Sequence, residues 1–375
     1  MSRALLYANT EKTVFVIDLP ASIAYAQGRE CEVASCTAIT APWVVPEPKG
    51  TKRARMLNDL SPQELQYHES LVHGIAWASL VLQAARFTTP FNRSRWVMDA
   101  VTESLSPHPG PHLPLEHVVP LVLSKEQNHV DGPTALGNTA VINSSLVSTE
   151  LNITECGTFI IPSRSSFLWA DICTVRQHHN VTILNHSMDC IRPSIKFDMI
   201  LMDPPWANRS VRRTRAYLTD RQDSDPFESA VDLVRVHLQR HGRVAIWITN
   251  KEAVRQRVLI AMRCLQLPLL EQWIWVKTTT SGRPVVPLDA VWRKPYEVLL
   301  VFARHSRQLS VSSRYIFGVP DVHSRKPNLK VLFEMIFQCE TVLELFARNL
   351  TAGWCSVGNE VLKFQDARLF RVNVG

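Results

Sequence analysis

From about Gly157 onward, short apolar runs alternate with stretches in which apolar residues recur at helical spacing. Phe159–Ile161, Phe167–Asp171, Phe197–Met202, Arg243–Thr249, Gln272–Val276, Val298–Ala303 and Thr341–Leu345 have the length and bounding residues of buried strands. Pro226–Arg240 and Lys251–Cys264 carry helical patterns between them. Strands separated by helices predict an α/β fold, a mostly parallel sheet with helices on both faces. The first 150 residues have a different rhythm. Pro42 to Lys52 reads as a linker, and Ser61-Pro62-Gln63-Glu64 has the form of a capping box with Pro at the first helical position. The spacing of Leu65, Leu71, Ile75, Leu80, Leu82 and Ala85 predicts a long helix to about Phe87. The chain therefore divides into an N-terminal accessory, nucleic-acid-binding region (residues 1–150) and an α/β domain (residues 151–375). No internal repeat is present.

The most informative run is Phe197 to Trp206, F-D-M-I-L-M-D-P-P-W. Asp203 falls where an apolar strand stops, at the carboxyl edge of the sheet, and open α/β sheets bind ligands at that edge. The two prolines fix the following backbone and supply no N–H, leaving the carbonyls of Asp203 and Pro204 to accept hydrogen bonds. Trp206 adds a flat apolar face. A carboxylate, a rigid carbonyl and an aromatic plate suit a planar base that carries an exocyclic amine.

Composition narrows the picture less. The net charge of +7 favours an anionic partner without separating nucleic acid from a membrane surface. No run approaches the ~18 apolar residues of a membrane span. The eight cysteines include no C-x-x-C pair, and Val14 to Ala26 lacks the form of a secretory leader, so the thiols are expected to be reduced and structural. Sequons at Asn152 and Asn180 carry no weight without secretion. Lys49, Lys52, Arg53 and Arg55 form a basic cluster that reads equally as a nuclear-import signal, a phosphate-facing patch or a solvated surface. His108, His112 and His117 are read as scattered loop histidines, not a metal site.

Asp203-Pro204-Pro205-Trp206 resembles the motif of the adenine-N6 methyltransferases related to the mRNA adenosine methyltransferase large subunit. The continuation Ala207 to Tyr217 (A-N-R-S-V-R-R-T-R-A-Y) is similar to the methyltransferase-like protein 4 branch of that family. W-V-K-T (Trp275 to Thr278), K-P-Y-E (Lys294 to Glu297), H-S-R-K-P (His323 to Pro327), E-L-F-A-R-N-L (Glu344 to Leu350) and Gly353 to Phe364 extend the resemblance over roughly residues 150 to 375. It implies a Rossmann-like methyltransferase sheet with S-adenosyl-L-methionine as cofactor. The catalytic motif precedes the E-L-F-A-R-N strand, an order circularly permuted relative to many methyltransferases.

No Gly-rich phosphate loop is present, which suits a cofactor without phosphates. The resemblance carries cofactor contacts onto Asp171, Ile172, Lys277, Arg348, Asn349, Asn359 and Glu360. Lys277 would reach the methionine carboxylate, and Glu360 stands where relatives often have an amide. Catalysis falls to Asp203, Pro204, Pro205 and Trp206, with no metal required. Asn208, Arg212, Arg213 and Tyr217 lie in an arginine-rich strip suited to phosphates and bases. His323, Arg325 and Lys326 are expected to form a second basic contact. The resulting expectation is N6 methylation of adenosine in RNA, in particular a 2′-O-methylated adenosine of small nuclear RNA, in the nucleus and potentially also the cytoplasm. A DNA adenine methyltransferase and a non-catalytic nucleic-acid-binding subunit are the alternatives. The sequence requires no protein partner and excludes none.

Overall fold

The structure, a computed structural model, describes residues 3–98, 120–125, 127–137, 139–177, 195–206, 225–304 and 310–372. Its N-terminal part contains β1 (Leu5–Ala8), β2 (Val14–Ile17), α1 (Leu19–Ala26), β3 (Glu32–Val33), α2 (Gly50–Asn58) and α3 (Pro62–Ala84). Then come β4 (Leu121–Val122), β5 (Asn128–Val130), β6 (Ala140–Asn143), β7 (Thr149–Ile153), β8 (Gly157–Ile161), β9 (Ser165–Leu168) and α4 (Ile172–Gln177). The remainder runs β10 (Phe197–Met202), α5 (Pro226–His237), β11 (Leu238–Ile248), α6 (Glu252–Cys264), β12 (Leu269–Lys277), β13 (Tyr296–Ala303) and β14 (Ser312–Gly318). It closes with α7 (Lys330–Phe337), β15 (Val342–Leu345), β16 (Trp354–Val357) and β17 (Phe370–Arg371).

Twelve strands form one sheet among the described residues, in the order β1-β2-β14-β12-β13-β11-β10-β15-β16-β9-β6-β4. Its middle, β11-β10-β15-β16-β9, is parallel throughout. Alternation of side chains splits the strands between two cores. Ile200, Met202, Val244, Ile246 and Leu345 pack with α3, α5 and α6, whereas Met199, Leu201, Ala245 and Trp247 pack with α1 and α7. Helices thus cover both faces, as the alternating pattern predicts. The sheet also crosses residue 150. Strands β1, β2, β4 and β6 belong to it, and position 150 lies inside β7.

Local chemistry sets the helix starts. Ser61 Oγ accepts from the Glu64 N–H at 3.1 Å with Pro62 at the first turn, and Asp225 Oδ1 accepts from the Phe227 N–H at 2.8 Å ahead of Pro226. The second helix stops at His237, short of the expected Arg240, because Leu238 already pairs with Phe197 in the sheet. Gly74 lets α3 lie on β14, since a Cβ there would sit 1.8 Å from the Tyr315 hydroxyl.

Candidate active site

The site follows from strand register. Asp203, Arg348 and Lys277 all emerge at one sheet edge, just beyond β10 and β15 or at the end of β12. Met202 pairs with Leu345, which pairs with Val357, which pairs with Leu168. Asp203, Arg348, Asn359 and Asp171 each follow one of those strand ends. After β15 the chain turns through a left-handed Phe346 (φ 60°). Gly358 permits the close packing of that turn, because a Cβ would lie 2.8 Å from the Ala347 carbonyl oxygen.

Asp203 is held from two sides. Its Oδ1 lies 3.2 Å from Lys326 Nζ, and its Oδ2 lies 3.1 Å from Arg348 Nη1. Lys326 reaches on to Glu297 at 2.8 Å, and Glu297 also pairs with Lys277. Arg348 Nε continues to Glu360 at 3.2 Å, and Glu360 to Lys363 at 2.7 Å. The result is an alternating chain of charges across the carboxyl edge. Burial alone would raise the Glu297 carboxyl, but Lys326 and Lys277 outweigh it and hold it at about 2. Burial likewise opposes the charge of Lys326, yet the carboxylates of Asp203 and Glu297 raise its ammonium above the ordinary lysine value.

Glu344 behaves in the opposite way. It points into the same cavity as Asp203, Trp247, Lys326, Arg348 and Asn349, which encloses about 40 Å³. Its Oε2 is sealed from solvent with no hydrogen-bond partner. Burial, reinforced by the nearby Asp203 charge and only partly offset by Arg348, pushes its carboxyl up to about 8. An acceptor without a partner, buried in a polar cavity beside Asp203, is placed to meet a donor from a bound molecule.

The Asp203–Trp206 tetrapeptide departs in detail from its expected form. The Trp206 N–H donates to the Pro204 carbonyl at 2.8 Å, so one of that oxygen's two lone pairs is used by the turn itself. Trp206 is anchored, not free. Its Nε1–H donates to the Trp247 carbonyl at 2.9 Å, and its ring centroid lies 5.1 Å from that of Phe227. Pro204 is buried and Pro205 exposed.

The other sequence-predicted residues fall as follows. Asp171 caps α4, its Oδ1 accepting from the Cys173 N–H at 2.7 Å, and Ile172 is buried. The Asn359 carbonyl accepts from Trp169 Nε1–H at 2.9 Å, while Asn349 makes only a long contact of 3.5 Å to its neighbour's carbonyl. Lys277, expected to reach the cofactor, pairs with Glu297, and Lys326, expected with the substrate strip, is the cation against Asp203. Arg325 is no surface cation. It is 4% exposed, pairs with Asp321 at 2.8 Å and donates to the Ala34 carbonyl at 2.8 Å. Asn208, Arg212, Arg213 and Tyr217 lie outside the described residues, as do His108, His112 and His117. Glu297 and Glu344 were not singled out by sequence reasoning; an acid inside the apolar run V-L-E-L was the available signal.

The donor set fits S-adenosylmethionine. Lys277 at the end of β12 is a cation for a carboxylate, the orphaned Glu344 Oε2 suits an ammonium or hydroxyl, and the Asn349 amide makes a long hydrogen bond to a neighbouring carbonyl. A sheet that is parallel at its centre, with helices on both faces and this charged carboxyl edge, fits a methyltransferase fold. The MT-A70 family profile matches residues 197–360. The N6-methyladenosine RNA methyltransferase MTA1 of Pyricularia oryzae is 30% identical over 98% of this chain and 96% of its own length. The protein of the same name from Cryphonectria parasitica is 44% identical over 45% of this chain and 53% of its own length. The human N(6)-adenine-specific methyltransferase METTL4 is 31% identical over 56% of this chain and 45% of its own length. The chain belongs to the MT-A70 family of adenine-N6 methyltransferases.

Proposed function

We propose that this protein methylates N6 of an unpaired adenosine in RNA, and that the preferred target is a 2′-O-methylated adenosine of the kind found in small nuclear RNA. The observation that carries the reading is Asp203, fixed at the carboxyl edge of β10 by Lys326 and Arg348. A carboxylate has about four lone-pair sites, so these two cations orient it while leaving capacity to accept. The adenine amine is a poor nucleophile because its lone pair is delocalised into the ring. Asp203 and the second lone pair of the Pro204 carbonyl each accept one N6 hydrogen, which turns the amine lone pair out of conjugation.

When bound, S-adenosylmethionine would supply the methyl on a sulfonium; the N6 lone pair would attack that carbon in line, the C–S bond breaking as N–C forms and S-adenosylhomocysteine leaving with the sulfur's electron pair. Fixed acceptors stabilise the positive charge that develops on N6 and take up its proton. Holding the reactants in line contributes up to roughly 7–11 kcal/mol of the barrier. Lys277 would reach the methionine carboxylate, Glu344 would face the cofactor's cationic end, and Asp171, Ile172, Arg348, Asn349, Asn359 and Glu360 would serve its ribose and adenine. The late strand β15 lies directly beside β10, which supports a permuted order of motifs.

RNA is preferred over DNA because two relatives bear RNA methyltransferase names and because an unpaired adenosine needs less energy to enter a pocket than one in a duplex. Ribo-, 2′-O-methyl and deoxyadenosine oligonucleotides of one sequence, compared by nucleoside mass spectrometry, test the reading. Fastest methylation is expected on the 2′-O-methyl form. Fastest methylation of duplex deoxyadenosine would reassign the enzyme to DNA, and no transfer to any of them would leave a nucleic-acid-binding subunit.

A further inference from the structure

The helix α2, G-T-K-R-A-R-M-L-N, buries none of its residues and contains no acid. A helix of that kind adds nothing to the core. It is nonetheless held in place. Arg53 donates to Asp289 at 3.2 Å and lies 3.9 Å from Glu47, whose Oε2 also accepts from the Val291 N–H at 2.9 Å. Met56 receives the Trp292 indole N–H at 2.9 Å, and Lys52 Nζ sits 4.9 Å from the Trp292 ring centre. All of these partners from the C-terminal half belong to residues 278–295, the loop between β12 and β13. The segment before α2 rests on the same loop, through the Trp43 N–H and the Val285 carbonyl at 2.8 Å.

This surface has an unusual make-up. Trp43 and Trp292 are 42% and 46% exposed, although burying a large apolar side chain is favourable. Lys49, Lys52, Arg55 and Arg293 are exposed and have no acidic partner among the described residues. Of the acids nearby, Glu47 and Asp289 are engaged by Arg53, and Asp59, exposed at the C-terminal end of α2, leaves the cations in excess. Exposed aromatic faces among unneutralised cations are what a single-stranded nucleic acid requires, since bases stack on the rings and phosphates meet the cations. A duplex keeps its base faces hidden and would gain nothing from the tryptophans.

The loop also joins this surface to the active site. Its base is closed by the Lys277 N–H donating to the Pro295 carbonyl at 2.7 Å and by the Lys277–Glu297 ion pair, and Glu297 shares Lys326 with Asp203. We propose that α2 and the 278–295 loop form a platform for the single-stranded RNA that flanks the target adenosine, with Trp43 and Trp292 as stacking faces and Lys49, Lys52, Arg55 and Arg293 as phosphate contacts. The proposal rests on the reading of the protein as a nucleic-acid methyltransferase.

The test uses the full chain with Lys52→Ala, Arg55→Ala and Arg293→Ala combined. Fluorescence anisotropy across a salt series would follow a single-stranded RNA of about 20 nucleotides, long enough to exceed one such site, with a DNA strand of the same sequence in parallel. Three lost phosphate contacts should weaken RNA binding about tenfold or more and lower the magnitude of the log–log salt slope by about 2. The DNA strand is expected to lose affinity as well, because the platform reads phosphates and base faces. Turnover of a short oligonucleotide confined to the pocket, and cofactor affinity, should be unchanged. Trp292→Ala should weaken the long strand and Trp292→Phe restore it. Unchanged affinity and slope in the triple variant, with normal cofactor binding, would overturn the platform even in a fully active enzyme. Binding is read without turnover, so a wild-type protein that methylated no adenosine would fell the functional reading and leave this measurement standing.

Discussion

Asp203 and Arg348 follow neighbouring parallel strands, and the ion pair between them, Oδ2 to Nη1 at 3.1 Å, ties the D-P-P-W segment to the E-L-F-A-R-N segment. Each residue depends on the other for orientation. Arg348 also donates to the carbonyl of Ser324, which adopts a left-handed conformation, so the pair is braced from the loop that carries Lys326.

Asp203→Asn keeps the shape of the side chain, removes its charge and introduces competing donors. Methyl transfer should fall by at least 10²–10³-fold, the usual loss when a charge-stabilising group is removed, with folding retained. Nucleoside mass spectrometry alongside a thermal melt checks both parts. Turnover near the wild-type rate would remove Asp203 from the chemistry.

Arg348→Ala and Asn349→Ala should each weaken S-adenosylmethionine by ~1–3 kcal/mol, the cost of leaving a buried polar partner unpaired. Calorimetry on the protein without nucleic acid reads this directly. If neither affinity changes, the cofactor lies elsewhere.

Glu344 gives a pH signature with a definite sign. Its carboxyl is raised to about 8 by burial and by Asp203, so between its ordinary value and about 8 the folded protein keeps a proton that the unfolded chain releases. Stability contributed by that proton is present at low pH and declines as pH rises toward 8. Glu344→Gln should flatten the decline in denaturant midpoints. If Glu344 faces the cofactor's cationic end, cofactor binding at neutral pH should release a proton, seen as a dependence of binding enthalpy on buffer ionisation that the Gln variant lacks.

Gly74→Ala places a methyl 1.8 Å from the Tyr315 hydroxyl and should destabilise the fold by about 1–3 kcal/mol, the range for overpacking. Tyr315→Phe in the same chain should recover part of the loss. Equal melting of the wild type and the Gly74 variant would show that α3 can shift away from β14 at no cost.

Arg212→Ala with Arg213→Ala should reduce the salt dependence of oligonucleotide binding and leave cofactor affinity alone, because each phosphate contact releases counterions. A slope unchanged from wild type would make the strip an ordinary charged segment.

The central strands were legible because a strand buried on both faces is a continuous apolar run, and F-D-M-I-L-M and V-L-L-V-F-A are such runs. The capping residues Ser61 and Asp225 also write helix starts into the chain. What remained hidden depends on distance along the chain. V-F-V-I at residues 14–17 looks like any short apolar stretch until it pairs with Tyr315–Phe317. The strand Ser312–Gly318 begins with polar residues and an arginine that finds Glu271 across the sheet, so its first half does not read as buried. In the site, the residues offered by the motifs do converge on one edge. Their partners did not show, because an ion pair such as Lys326–Glu297 joins letters that carry no mark of each other.

The pairing of β2 with β14 bears on how the protein is made. A ribosome releases Val14 to Ile17 long before Tyr315 to Phe317, the strand that receives them. The sheet therefore cannot close on the nascent chain until most of it has emerged, and contacts of such long sequence separation slow folding. Until then β2 offers unpaired backbone to any other strand in reach. A fragment beginning at residue 151 would inherit the mirror-image fault, an uncovered β14 inviting edge-to-edge association. Chaperone demand during translation, and a tendency of truncated forms to aggregate, are the cellular costs of pairing β2 with a strand made so much later.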